Sequence, residues 1–313
     1  MTTAATAAAP LRGCGTAIVT PFTSEGAVDE RALRAFVRWQ LAEGIDFLVP
    51  CGSTGEAATL ADDEQRRVVE ITVEEVGGRC AVVAGAGSND TRRAIALSRM
   101  MREAGATHLL HASPAYSKPP QRGIEAHVHA VMDAVDLPIV LYNVPGRTAS
   151  NVEPETTLRL AETGRVVAVK EASGNLPQIQ RILRERPAGF AVLSGDDAFT
   201  LPIIAGGGEG VISVVSNATP RLMAQLCARA LEGDLAAARA LQDRLLPWMQ
   251  AAFVESNPIP VKAALAMMGR MQPTVRLPLV PLLDRHRSLL ADALRAAGAL
   301  DGASGALPDP ARA

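Results

Sequence analysis

The sequence predicts an α/β fold, a closed (β/α)8 TIM barrel with a C-terminal α-helical extension. Short, apolar, β-branched segments alternate eight times with longer amphipathic segments. The short segments are apolar at nearly every position, which is typical of parallel strands that are covered on both faces. The chain has 313 residues, of which 48% are hydrophobic, and this is enough for one large core.

Each predicted strand is a run rich in valine, isoleucine and leucine, and apolar residues at helical spacing follow it. Asp29 precedes the first helical pattern as a capping residue, and Gly44 ends that pattern. The predicted strands cover residues 16–19, 47–49, 81–84, 108–110, 138–141, 166–169, 191–193 and 210–213. The helices that follow the first seven strands are predicted from 29, from 63, over 91–103, over 121–134, from 154, over 176–183 and over 198–204.

A doubly wound open sheet is the alternative architecture, and the glycine-rich run 206–210 resembles a dinucleotide-binding loop. That run precedes a predicted strand, whereas a phosphate-binding glycine loop joins a strand to the helix after it. The run is therefore predicted to be a helix end followed by a tight turn. Eight successive strand–helix units favour the closed barrel.

Four regions are predicted along the chain. Residues 1–12 are rich in alanine and threonine and are expected to be a disordered tail, because they lack the basic and apolar parts of a signal peptide. The barrel is predicted over 13–219, and a domain of three or four amphipathic helices over 220–300. These helices are expected to be interrupted by prolines, at Pro247, at Pro258 and Pro260, and at Pro278 and Pro281. Residues 301–313 are expected to be a flexible tail.

The composition argues against several classes of function. The net charge is −2, with acids and bases interspersed, which offers no basic surface to nucleic acid or to an anionic membrane. No apolar run is long enough to span a bilayer. The four cysteines form no CxxC pair, and they are predicted to be free thiols in a reducing cytoplasm. The histidines show no ligand spacing, so no metal is expected.

Lysine is rare, and one lysine stands where a barrel enzyme carries its chemistry. Arginine supplies most of the basic charge, and the only lysines are Lys118, Lys170 and Lys262. Lys170 directly follows the sixth strand, at the end where the active site of a parallel barrel lies. Burial there favours the neutral amine, which is the nucleophile that attacks a ketone. Lys118 and Lys262 are expected to be surface residues.

Both tyrosines of the chain map to the same rim, Tyr142 after the fifth strand and Tyr116 after the fourth. Schiff-base chemistry needs an acid and a base, because a carbinolamine must lose water. Tyr142 is predicted to fill this role, with Ser53 as a relay hydroxyl. Backbone N–H groups in the turn 53–55 are predicted to hold a carboxylate. The residues therefore predict Schiff-base chemistry on Lys170.

Six motifs, in order and at consistent spacing, are specific enough to indicate a family. They are Gly-Ser-Thr-Gly-Glu (52–56), Tyr-Asn-Val-Pro-Gly-Arg-Thr (142–148), Val-Lys-Glu-Ala-Ser-Gly-Asn (169–175), Leu-Ser-Gly-Asp-Asp (193–197), Gly-Val-Ile-Ser-Val (210–214) and Asn-Pro-Ile-Pro-Val-Lys (257–262). On these motifs the chain resembles the dihydrodipicolinate synthase/N-acetylneuraminate lyase family from about Gly15 to Leu300.

The resemblance implies roles in catalysis. Lys170 would form an imine with pyruvate, and Tyr142 would be its partner in proton transfer. Ser53 and Tyr116 would complete a hydroxyl relay. In the family, the tyrosine that matches Tyr116 reaches into the active site of a neighbouring subunit. No cofactor is implied beyond the covalent pyruvate imine.

The resemblance also implies how the substrates bind. Thr54 would help to hold the carboxylate of pyruvate, and the backbone of Ile212 would line the pocket. In the synthases of the family, the arginine that matches Arg147 binds the carboxylate of L-aspartate 4-semialdehyde, which suits the bidentate geometry of a guanidinium. The sialate lyases lack this arginine. Arg147 therefore favours the synthase reaction of lysine and diaminopimelate biosynthesis.

Several positions depart from the family pattern. Ser53 stands where the synthases usually have threonine, and this form is shared with the lyases. Ala115 stands where many synthases have a second tyrosine, which serves the tight-dimer interface and the allosteric site for lysine. Asp62, Gln65 and Arg93 replace other residues of that allosteric site. Because Arg93 would repel the ammonium group of L-lysine, we expect no inhibition by L-lysine at physiological levels.

The resemblance implies a homo-oligomer, usually a homotetramer built as a dimer of dimers, although Ala115 leaves a dimer open. Two other functions also remain open. One is a different pyruvate Schiff-base aldolase, lyase or dehydratase on the same scaffold, against which Arg147 and Thr148 argue. The other is an inactive barrel that binds a ligand, against which Lys170 and both tyrosines argue.

Overall fold

The computed structural model describes residues 11–300. The tails predicted at the two ends lie outside this range, except for Leu11 and Arg12. Leu11 is buried among the side chains of the barrel interior. A single leucine beside an alanine-rich segment forms no periodic pattern, so the sequence placed it in the tail.

Eight strands form the closed parallel barrel that the sequence predicts. They are β1 (Gly13–Ala17), β2 (Phe47–Val49), β3 (Ala81–Gly85), β4 (His108–Ala112), β5 (Ile139–Asn143), β6 (Val166–Glu171), β7 (Ala191–Ser194) and β8 (Gly210–Ser213). Each strand pairs with its neighbours in chain order, and β1 pairs with β8 to close the sheet. Strand β1 begins three residues before its predicted start, because Gly13 and Gly15 have no side chain to signal a strand.

Twelve helices lie within the part of the chain that the structure describes. They are α1 (Glu30–Ala42), α2 (Asp62–Val76), α3 (Thr91–Glu103), α4 (Gln121–Ala134), α5 (Pro145–Thr148), α6 (Pro154–Ala161), α7 (Leu176–Glu185), α8 (Thr200–Ala205), α9 (Pro220–Leu231), α10 (Leu235–Ala251), α11 (Ile259–Met267) and α12 (Arg287–Ala297). Asp29 caps α1 by accepting from the N–H of Ala32, as predicted. Over residues 11–300, no helix combines the length and apolarity that a membrane crossing requires.

Apolar side chains fill the barrel interior, so the barrel is a packed core. Phe47 of β2 lies opposite Gly15 of β1. A Cβ atom at position 15 would lie only 2.1 Å from the Phe47 ring, so glycine is needed there. Val140, Leu193 and Ile212 also belong to this interior cluster. Because the interior is filled, space for a ligand lies beyond the ends of the strands.

The C-terminal helices continue the barrel without a break in packing. Helix α9 packs on β1 and β8 and serves as the eighth helix of the barrel, whereas α10, α11 and α12 extend beyond it. The prediction that Pro247 interrupts a helix is wrong, because it lies inside α10. Proline removes one helical hydrogen bond, but the neighbouring Trp248 is fully buried and its indole N–H donates to the carbonyl of Val215 at 3.2 Å. This tertiary packing outweighs the local preference.

Candidate active site

A cavity of about 1060 Å³ opens at the carboxyl ends of the strands, where the active site of a parallel barrel is expected. The loops after β2 and β5, the ends of β6 and β7, and parts of the C-terminal region line it. The predicted site residues that line it are Ser53, Thr54, Tyr142, Arg147 and Lys170.

Lys170 and Tyr142 are neighbours in this cavity. They pair in register across β5 and β6, and residues at the same register of adjacent strands point to the same side of a sheet. The Nζ atom of Lys170 lies 4.4 Å from the centre of the Tyr142 ring. The two residues are only 5% and 8% exposed. The amine and the phenol therefore enter the barrel mouth together and are poorly solvated.

Burial shifts the pKa values of both groups away from their ordinary ranges. It lowers the pKa of Lys170 from 10.5 to about 8, and the Arg147 guanidinium adds to this effect while the Asp197 carboxylate opposes it. Burial also raises the pKa of Tyr142 to about 12. At neutral pH the tyrosine is therefore a proton donor, and an appreciable fraction of the lysine is a neutral nucleophile.

A buried polar network behind the sheet fixes the backbone of both strands. Asn143 and Glu171 follow Tyr142 and Lys170 and therefore point outward. The Asn143 amide donates to both carboxylate oxygens of Glu171, at 3.2 and 3.1 Å. Its carbonyl accepts from the N–H of Val152 at 2.9 Å. These bonds connect β5 and β6 to each other and to the segment that follows Arg147.

The turn after β2 brings Ser53 and Thr54 to the cavity. Its Gly55 N–H donates to the carbonyl of Gly52 at 3.1 Å, so this N–H is not free to bind a carboxylate, in contrast to the prediction for the whole turn. Within the described chain, the N–H groups of Ser53 and Thr54 have no such partner. The Thr20 hydroxyl anchors the turn by donating to the Gly55 carbonyl at 2.7 Å.

The remaining predicted residues lie at the mouth or outside the cavity. Arg147, in the last turn of α5, is exposed at the mouth. Tyr116 does not line the cavity of its own chain. It is 91% exposed and has a left-handed backbone, with φ of 70°. Ile212 is fully buried in the barrel interior, and Val214, two residues later, is the residue of that segment that lines the cavity.

The prediction that Lys262 is a surface residue is wrong. Lys262 is fully buried in α11, and its Nζ atom lies 2.5 Å from Oε1 of Glu56 and 2.8 Å from the carbonyl of Thr274. Glu56 is 206 residues away in sequence, so local sequence gives no sign of the pair. The rarity of lysine and the Asn-Pro-Ile-Pro-Val-Lys motif were the only available signals. Asn257 of the same motif contacts the Ser53–Thr54 turn and was not predicted as a site residue.

A closed parallel barrel with a buried lysine and tyrosine at its mouth is the arrangement of a class I aldolase-type lyase. Residues 10–297 match the model of the Dihydrodipicolinate synthetase family. The chain belongs to that family, as its motifs predicted.

Individual relatives agree with this assignment. The 4-hydroxy-tetrahydrodipicolinate synthase of Koribacter versatilis (strain Ellin345) is 52% identical over 295 residues, which cover 94% of this chain and 98% of the relative. The structure of the chloride-inhibited dihydrodipicolinate synthase from Acinetobacter baumannii complexed with pyruvate has a TM-score of 0.91 at 38% identity, covering 92% of this chain and 99% of that one. A structure described as the first monomeric dihydrodipicolinate synthase variant has a TM-score of 0.91 at 43% identity, with coverage of 92% and 97%.

Proposed function

We propose that this protein condenses pyruvate with L-aspartate 4-semialdehyde to 4-hydroxy-tetrahydrodipicolinate, a step of lysine and diaminopimelate biosynthesis. The observation that carries the proposal is Lys170, a 5% exposed amine whose pKa is lowered to about 8 beside a protonated Tyr142. Relatives with this activity in their names, at about 50% identity over most of the chain, support the choice of substrates.

The reaction begins with attack of the neutral Lys170 amine on the C2 carbonyl of pyruvate. Tyr142 protonates the departing hydroxyl of the carbinolamine, and water leaves as the imine forms. Thr54 and the free N–H groups of Ser53 and Thr54 hold the pyruvate carboxylate meanwhile. Loss of a proton from C3 then gives the enamine, which is the carbon nucleophile. The covalent imine serves as the electron sink, so this sequence of steps uses no cofactor.

The second substrate enters at the mouth, where Arg147 binds its carboxylate. The enamine carbon attacks the aldehyde, which becomes the 4-hydroxyl group of the product. The α-amine of the bound aldehyde then attacks the imine carbon, closes the ring and displaces Lys170. One water leaves overall, and the lysine returns to its starting state.

Proton transfer is proposed to run through Tyr142, Ser53 and the Tyr116 of a neighbouring subunit. Support comes from the exposure of Tyr116, 91%, and from its left-handed backbone, a conformation that non-glycine residues adopt at an energetic cost. Such a relay requires at least a dimer, and we propose a homotetramer built as a dimer of dimers. Mixing Lys170→Ala and Tyr116→Phe proteins tests it, because mixed dimers regain one complete site.

Two further features complete the proposal. The backbone around Ile212 borders the pyruvate pocket, next to Val214 of the cavity wall.

The protein is proposed to act in the cytoplasm, which supplies the metabolites of this pathway. The free thiols of Cys14, Cys51, Cys80 and Cys227 are compatible with a reducing compartment.

The test is to incubate the protein with pyruvate and borohydride, with and without L-aspartate 4-semialdehyde, and to follow the protein mass and the product together. We expect a reduced pyruvate adduct on Lys170, and a product that a tetrahydrodipicolinate reductase accepts. Lys170→Ala should form no adduct. Arg147→Ala should still form the adduct, more slowly at neutral pH because a cation that lowers the Lys170 pKa is lost. It should require roughly 10- to 100-fold more semialdehyde, as is typical for loss of a charge-assisted hydrogen bond.

The outcomes separate the parts of the proposal. An adduct without product would leave the Schiff-base chemistry standing and overturn the aldehyde assignment, and with it the role of Arg147. The absence of any adduct in the wild-type protein would overturn the proposed function as a whole.

A further inference from the structure

Asn257, in the segment between α10 and α11, forms part of the cavity wall. It is 5% exposed, and its amide nitrogen donates to the Thr54 hydroxyl oxygen at 2.8 Å. Its own carbonyl oxygen is buried and has no hydrogen-bond partner in the described residues. Buried amides normally have both polar atoms paired. The bond to Thr54 is therefore the one hydrogen bond that holds this side chain within the described residues.

The direction of that bond decides whether the Thr54 hydroxyl can donate a hydrogen bond into the cavity. A hydroxyl has one hydrogen to donate and two lone pairs to accept with. Because the Asn257 nitrogen donates, the Thr54 oxygen acts here as an acceptor and its hydrogen remains available. An anionic carboxylate binds donors only, and hydrogen bonds to a charged group are roughly twice as strong as neutral ones. The contact thus makes Thr54 a donor.

A second contact from the C-terminal helices holds the same turn. Lys262 forms the buried ion pair with Glu56, which directly follows the 53–55 turn. The N–H of Arg276 donates to the other oxygen of this carboxylate at 3.0 Å. The turn is therefore bonded at both Thr54 and Glu56 to a region that lies outside the (β/α)8 barrel.

We infer that Asn257 is a positioning residue for substrate recognition: it presents the Thr54 hydroxyl as a donor to the carboxylate of the ketone substrate, on a turn that Lys262 and Glu56 hold in place. This inference rests on the proposed function. It assigns to the segment that leads into the helical extension an indirect part in binding the first substrate. Asn257 acts through Thr54 and does not itself contact the reacting atoms.

The test compares pyruvate with methyl pyruvate, which has the same ketone but no negative charge. Borohydride trapping measures the half-saturating concentration of each ketone for the wild-type protein, Asn257→Ala and Asn257→Asp. We expect Asn257→Asp to raise the pyruvate value roughly 10- to 100-fold, because the new carboxylate takes the Thr54 hydrogen and repels the substrate. Asn257→Ala should have a smaller effect. Both variants should leave the value for methyl pyruvate within about twofold.

A double-mutant cycle shows whether the effect passes through Thr54. In a Thr54→Val background, Asn257→Ala should have no further effect on pyruvate, because residues that act through one bond are not additive. If Asn257→Ala does not fold, Asn257→Asp, which has the same shape as the natural residue, carries the test in this cycle, because its effect on pyruvate should be smaller in the Thr54→Val background than in the wild-type background.

The two proposals fail in different ways. A wild-type adduct with equal losses for the two ketones, or additive effects in the cycle, would overturn this inference alone. If the wild-type protein forms no adduct with pyruvate, the proposed function fails and this inference fails with it.

Discussion

Raising the pH is expected to accelerate imine formation on Lys170, with a midpoint near pH 8. Burial lowers the pKa of this lysine from 10.5 to about 8, and only the neutral amine attacks the ketone. At pH 7 about one tenth of the lysine is then neutral, against roughly one part in 3000 for an amine at the ordinary value. Burial thus supplies roughly 300-fold in reactive amine, equivalent to about 3 kcal/mol.

The assay is rapid mixing with pyruvate followed by a borohydride quench at each pH. The rate constant should rise about tenfold per pH unit below the midpoint and level off above pH 9. Competitive acetylation of Lys170 gives an independent titration, with the exposed Lys118 as the reference in the same digest.

Two charge variants should move the midpoint in opposite directions. Arg147→Gln removes a cation that lowers the pKa of Lys170, so the midpoint should move to higher pH. Asp197→Asn removes the carboxylate that raises this pKa, so the midpoint should move to lower pH. Asparagine keeps an acceptor for the N–H groups of Val214 and Val215, which Asp197 binds at 3.0 and 3.2 Å. A wild-type midpoint at pH 10 would refute the role of burial. Two variants that shift the midpoint the same way would refute the opposite effects of the two charges.

Three other predictions follow from the site and its surroundings. Tyr142→Phe keeps the aromatic ring but loses the proton donor, so steady-state kinetics should show kcat lowered roughly 100- to 1000-fold. A decrease of less than threefold would contradict a role of Tyr142 in proton transfer. Lys262→Met should lower the free energy of unfolding in urea by roughly 3–5 kcal/mol, because Glu56 is left as an uncompensated buried charge. The control Lys118→Met should change this free energy by less than about 0.5 kcal/mol. Equal effects of the two lysine variants would contradict the ion pair. L-lysine should not inhibit the condensation in steady-state assays, since Arg93, which is paired with Asp62, offers no acceptor to the ammonium group of lysine and carries the same charge. A micromolar inhibition constant would be the opposite result.

The fold could be predicted because each of its elements leaves a local pattern. Buried strands are apolar at every position, and amphipathic helices repeat at helical spacing. Eight strand–helix units in succession therefore favoured a closed parallel barrel. The errors occurred where local pattern is weak or overridden. The glycines of β1 carry no apolar signal, and Pro247 remains helical because of the buried side chain beside it.

The candidate site was predictable to the extent that its residues stand at strand ends. In a parallel barrel all the strands end on one face, so Lys170, Tyr142 and the Ser53–Thr54 turn were expected to converge from their places in the chain alone. Their cavity and the neighbouring positions of Lys170 and Tyr142 agree with that expectation. Strand-end position does not reveal the direction of a hydrogen bond or the degree of burial.

Local order along the chain was therefore enough to indicate the barrel, the rim residues and the lysine at the end of β6. The tertiary structure alone decided that Lys262 is an internal cation paired with Glu56, and that Asn257 orients Thr54. Both contacts join residues more than 200 positions apart. Whether a polar side chain contacts solvent or a buried partner depends on which segments pack together. The sequence pattern within either segment does not predict this packing.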